Sequence, residues 1–108
     1  MPTFAISAKY TPDALAAIRK SGHASREAVS KKMIESIGGT FVAMYWHSSP
    51  EWDQTVIAEL ANADDAYAIN SMGMASGIAL RTQTQQLRTS SEADAAIARQ
   101  LTWTPPGQ

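Results

Sequence analysis

Apolar and polar positions alternate with period two from Thr3 to Tyr10, setting Phe4, Ile6, Ala8 and Tyr10 against Thr3, Ala5, Ser7 and Lys9. That pattern predicts a first strand with one buried face. Thr11-Pro12-Asp13 then supplies an N-cap, a proline at the first helical position and an acid in the first turn, so a helix to about Lys20 follows, burying Leu15 and Ile18. Ser21-Gly22-His23-Ala24 breaks it. Ser25 is placed to cap a second helical stretch whose Val29, Met33 and Ile37, with Ile34 beside them, recur at helical spacing until Gly38-Gly39 ends it.

Strand period returns from Thr40 to His47, with Phe41, Ala43, Tyr45 and His47 on one side and Val42, Met44 and Trp46 on the other. After Ser48, Ser49 and Pro50 it resumes from Trp52 to Leu60, where Trp52, Val56, Ala58 and Leu60 oppose Asp53, Thr55, Ile57 and Glu59. Two such runs around a short polar loop predict a β-hairpin. Asn62, with Asp65 three residues on, caps a helix whose buried stripe is Ala68, Ile69, Met72 and Ala75; Gly73 weakens that helix and Gly77 stops it. Ile78 to Leu87 alternates again, with Ile78, Leu80, Thr82, Thr84 and Gln86 on one face. Thr89-Ser90-Ser91-Glu92 opens a last helix to about Leu101, with Ala96, Ile97 and Leu101 as its apolar side.

Strand, helix, strand, strand, helix, strand is the order of the split β-α-β motif. The expected fold is α+β and ferredoxin-like, a four-stranded antiparallel sheet with helices on one face plus a C-terminal helix. It forms one domain over residues 1–101 with a tail at 102–108. The other sheet face needs a cover, because Tyr45, Trp46 or Trp52 would leave an exposed apolar patch there, and a partner subunit is the simplest one.

Composition narrows the function classes. With 44% apolar and 18% charged residues among 108, the chain is globular and long enough for one core. A formal charge of −1 supplies no field for collecting nucleic acid. Without cysteine there is no disulfide framework, thiol nucleophile or cysteine-ligated metal. The opening Met1-Pro2-Thr3-Phe4 lacks the basic and apolar runs of a secretory signal, and no stretch nears the ~18 apolar residues of a membrane span. A cytoplasmic protein with no membrane or nucleic-acid partner is the expectation.

Tyr10-Thr11, Arg26-Glu27-Ala28, Glu35, Gly38-Gly39, Tyr45, Trp52-Asp53, Glu59, Ser76-Gly77 and Arg81-Thr82-x-Thr84 occur in an order and at spacings that resemble the small bacterial and archaeal GYD-domain proteins. The resemblance runs from Thr3 to about Ala98. In the segment that gives the family its name, here Pro50-Glu51-Trp52-Asp53, the aspartate is kept, tryptophan stands for tyrosine and the glycine is missing. The resemblance implies a ferredoxin-like fold similar to the dimeric α+β barrel group, in which two sheets pack face to face. It implies no activity.

Candidate chemistry collects at the hairpin end. His47 beside Glu51 and Asp53 would suit a histidine base oriented by a carboxylate, against the alternative of a solvated loop. Glu51 and Asp53 could act as paired carboxylates, or simply as polar residues at a turn. Tyr45, Trp46 and Trp52 could line a pocket for a flat ligand or anchor a subunit interface. Arg26 and Arg81 could clamp an anion, or form ion pairs with Glu27, Glu35 or Glu59. His23 and His47 have no metal-ligand spacing, and no phosphate loop, dinucleotide fingerprint or serine elbow is present, so neither metal nor cofactor is expected.

The leading expectation is a homo-oligomer, with a dimer favoured, binding a small aromatic or carboxylated ligand near the hairpin through Tyr45, Trp52, Arg81 and Arg26. The second is a cofactor-free oxygenase or isomerase with His47 and Asp53 as its acid–base pair. The third is an oligomer whose aromatic cluster is all interface.

Overall fold

The first alternating run becomes strand β1, Thr3–Tyr10, in a computed structural model that describes all 108 residues. Thr11 caps α1, Pro12–Ser21, its hydroxyl accepting from the Ala14 N–H at 3.2 Å. Gly22, at φ 98°, turns the chain where a side chain would be strained, and α2, His23–Ser36, begins at the next residue. Ser25 therefore caps nothing, because this one glycine replaces the loop that a serine cap would have closed. The remaining elements are β2 (Thr40–Trp46), β3 (Gln54–Glu59), α3 (Ala63–Ala75), β4 (Ala79–Leu87) and α4 (Ser90–Ile97).

The strands form one antiparallel sheet in the order β2-β3-β1-β4. With its β-α-α-β-β-α-β-α sequence of elements, the fold is α+β and ferredoxin-like. Two β-bulges revise the expected faces. On β2, Phe41 pairs with Ala58 but Ala43 with Ile57, so Val42 is the extra residue and Phe41 joins Met44 and Trp46 on the helix side. On β4, Lys9 pairs with Arg81 but Tyr10 with Ala79, which squeezes Leu80 out of the ladder and leaves it exposed.

Phe4, Ile6, Ile34, Met44, Val56, Ala58, Leu60 and Ala66 form the main core beneath α2 and α3. Ala8, Tyr10 and Ile18 make a smaller cluster beneath α1, and Trp46 packs against both. The helix faces differ from expectation. In α2 the buried positions are Ser30 and Ile34, while Val29 and Ile37 are exposed; in α3 Ala66 is buried, and Ala68, Met72 and Ala75 are not. Both helices keep the expected period, but the stripe sits one position round, with polar Ser30 and Asn70 turned inward. Asn62 caps α3 by accepting from the Asp65 N–H at 3.1 Å, and Gly77, at φ 78°, follows its last turn.

In α4 the capping box is complete: Thr89 Oγ1 accepts from the Glu92 N–H at 3.1 Å, and Glu92 Oε1 accepts from the Thr89 N–H at 2.9 Å. These bonds to Thr89, first from its backbone and then from its side chain, hold the Glu92 carboxyl below the usual carboxylate range. A depressed folded-state pKa means that the contribution to the helix is present above the unfolded value and lost as pH falls through the folded one. On acidification, amide protection factors, taken against the intrinsic rate at each pH, should fall at Thr89 and through α4 before those of β1; α4 and β1 opening together would count against this. No residue of α4 is buried.

Candidate functional site

Residues 47–53 join β2 to β3, and backbone and side-chain bonds tie this loop down. His47 N–H donates to the Asp53 carbonyl at 2.9 Å, and Asp53 N–H donates to the Ala8 carbonyl at 3.0 Å. The Asp53 carboxylate accepts from the Tyr10 N–H at 2.8 Å and from Lys9 Nζ at 3.1 Å. Arg81 reaches across from β4, its guanidinium 5.0 Å from the Trp52 ring and hydrogen-bonded to the Glu51 carbonyl. The expected ligand residues Trp52 and Arg81 are thus held against each other.

His47 and Asp53 meet through their backbones, while their side chains take separate partners. His47 Nε2 lies 2.6 Å from Thr55 Oγ1, which is 2.7 Å from Ser7 Oγ, a short chain on the sheet face without helices. The residues expected to form an acid–base pair are divided between this chain and the Lys9–Tyr10 corner. Glu51 supplies its carbonyl to Arg81. Tyr45, paired with Thr55 on the same open face, is 65% exposed. His23 packs edge-on to Trp46 at 4.4 Å, away from His47.

A cavity of about 380 Å³ lies between α2, α3 and the sheet. Its walls are mainly apolar, from Ile6 and Val56 on the sheet to Met33 on α2 and Ile69 on α3. Gly73, also in the wall, leaves room that a side chain would occupy. Of the ligand residues expected from the sequence, Arg26 alone lines this space.

Three polar atoms of residues that line it are buried with no hydrogen-bond partner in the chain: Arg26 Nε, Gln54 Oε1 and Asn70 Oδ1. Arg26 also has no ion pair, the chain's one such contact being Lys9–Asp53, and its guanidinium carbon lies 5.9 Å from the centre of the Tyr10 ring. Asn70 uses Nδ2 on the Thr84 hydroxyl. Buried polar groups without protein partners are uncommon in folded proteins.

The sequence model of the GYD domain matches residues 4–97. The chain belongs to the GYD domain family. No curated protein and no solved structure matches it at a significant level. In this GYD-domain protein the aspartate that follows Trp52 is a clasp for the start of β3, and the cavity lies across the sheet from the chain of hydroxyls that ends at His47.

The inward placement of Gln54 and Asn70 is written in the sequence pattern. Gln54 has the same strand parity as Val56, Ala58 and Leu60, so it is a polar residue at an inward position. Asn70 follows Ala66 by four residues and precedes Gly73 by three, which puts it on the inner face of α3. Polar residues at core positions are either satisfied inside or kept for a ligand.

Proposed function

We propose that this protein binds a small organic acid with an apolar body in the cavity between α2, α3 and the sheet, with Arg26 as the anion anchor. The observation that carries the reading is Arg26, a cation with no ion pair, on the wall of a mainly apolar cavity of about 380 Å³. A guanidinium offers two parallel N–H donors to a carboxylate, and a partly dry site strengthens that bond. The volume lies within the usual range for small-molecule sites.

The test is a thermal-shift and calorimetric screen with cinnamate and octanoate as aromatic and aliphatic probes. A bound acid should raise the melting temperature in a concentration-dependent way. Arg26→Met should weaken binding by about 10- to 100-fold, the worth of a charge-assisted hydrogen bond, and leave the ligand-free protein no less stable because it removes an unpaired buried donor. If neither probe shifts the transition at millimolar concentration, or Arg26→Met binds as well as the parent, the reading fails.

Assembly as a homodimer is the second part of the proposal. It is supported by α4 and the tail, where Ile97, Leu101 and Trp103 are 81%, 85% and 74% exposed. The radius of gyration, 16.8 Å, exceeds the ~13 Å of a compact domain of this length, as a projecting arm would make it. An eight-residue helix is also marginal without something to pack on. Sedimentation should give a dimer that Ile97→Asp with Leu101→Asp converts to monomer; a parent protein monomeric at ~100 µM would rule this out.

A further inference from the structure

We infer that two copies of this chain join edge to edge through β4, pairing it antiparallel with itself across a two-fold axis and doubling the four-stranded sheet. The inference rests on the homodimer reading above and extends it from the arm to the strand that precedes the arm.

A sheet edge is a row of unpaired N–H and C=O groups, which proteins ordinarily blunt with lysine, proline, a bulge or a cover. The two edges of this sheet differ. β2 has seven residues and a bulge at Val42, whereas β4 has nine. From Thr82 to Leu87 β4 keeps one unbroken register on β1, Ala8↔Thr82 to Thr3↔Leu87, and holds no lysine, proline or acid. The bulge at Leu80 lies outside that stretch, and α4 does not pack along it. The open sheet face offers less to a second copy, since Ser7 at its centre is already 7% exposed and bonded to Thr55.

Symmetry sets the register. Outward backbone groups must meet outward groups, so one residue of β4 faces its own copy across the axis. Using the whole strand puts the axis at Gln83 or Thr84. With either centre, Arg88 of one copy falls beside Ile78 or Leu80 of the other, just past the last turn of α3, which has no basic residue of its own. A cation there complements the carbonyl end of that helix. The arm of one copy then starts beside the groove between α3 and β4 of the other, lined by Tyr67, Met74 and Thr82, where Tyr67 is 74% and Met74 45% exposed. Ile97, Leu101 and Trp103 are thereby brought toward apolar surface that is bare in the single chain. The arm also adds the area that strand edges lack, a specific interface taking about 800 Å² from each partner.

Cysteine scanning reads the axis directly, because the chain has no cysteine of its own. Single variants from Thr82→Cys to Gln86→Cys are air-oxidised, with exposed Ser36→Cys as the control. Gln83→Cys or Thr84→Cys should give a disulfide-linked dimer at least about tenfold faster than the control, since only a self-opposed residue brings its two Cα atoms within the ~4.4–6.8 Å that a disulfide spans. Adding Ile97→Asp and Leu101→Asp to the fastest variant should return it to the control rate. A parent that sediments as a monomer at ~100 µM would overturn the dimer and its edge together. A parent that dimerises but cross-links no faster than the control at any position from Thr82 to Gln86 would overturn the edge and leave the dimer standing. Fast cross-linking of Tyr45→Cys in those conditions would move the contact to the open face.

Discussion

Asp53→Ala is expected to lower the melting temperature by about 10–20 °C, the largest effect of any single polar substitution in this chain. Backbone pairing between β1 and β3 stops at Ala8 and Gln54, and one residue further on the β1–β4 register shifts. Tyr10, 3% exposed, would have an unpaired N–H at that corner. The Asp53 carboxylate accepts a hydrogen bond from that N–H, extending the β1–β3 ladder by one rung with a side chain, while its second oxygen holds Lys9. Removing it deletes a charge-assisted bond and strands a buried donor, together about 2–3 kcal/mol. Asp53→Asn should recover most of the loss, because an amide oxygen still accepts from Tyr10 N–H. A melting temperature for Asp53→Ala within about 2 °C of the parent would show that water replaces the carboxylate and would refute the clasp.

The same substitution separates the two ends of the molecule. Asp53 is absent from the cavity wall, so Asp53→Asn should leave acid binding unchanged within about twofold even where stability drops. A polar residue that looked catalytic from its neighbours in sequence then serves the backbone, and the charged residue facing the cavity is Arg26, on a different element.

Local chemistry made much of the fold legible. Thr11, Asn62 and Thr89 cap helices as their side chains predict, and Gly38 and Gly77 take the positive φ that follows a last helical turn. The bulges at Val42 and Leu80 were not legible, because inserting one residue leaves the alternation on each side intact while reversing its phase. The cavity was hidden for a related reason. Val29 and Met72 line it and stay exposed, while Ser30, Gln54 and Asn70 point inward, so a rule that sorts apolar residues inside misplaced both sets.

Gly39→Ala should destabilise the protein by about 3 kcal/mol, more than the neighbouring Gly38→Ala, and the two glycines matter for different reasons. Gly38 has φ 79° with open space around it, so a methyl there meets only backbone strain, about 1–2 kcal/mol. Gly39 has ordinary φ but no room. A Cβ on it would lie 2.8 Å from Leu60 Cδ2, 2.9 Å from Ile34 Cγ2 and 2.9 Å from the Glu59 carbonyl oxygen. Ile34 and Leu60 are both 0% exposed, and the third contact is main chain of β3, so the strain cannot be relieved by turning one side chain. Because Ile34 also lines the cavity, its displacement should reach the ligand: Gly39→Ala should weaken acid binding severalfold while Gly38→Ala leaves it unchanged. Chemical denaturation of both variants, with and without cinnamate, reads the two effects together. Equal stability losses would mean that Gly39 is there for turn geometry alone, and that the approach of α2 to the end of β3 is looser than these distances make it.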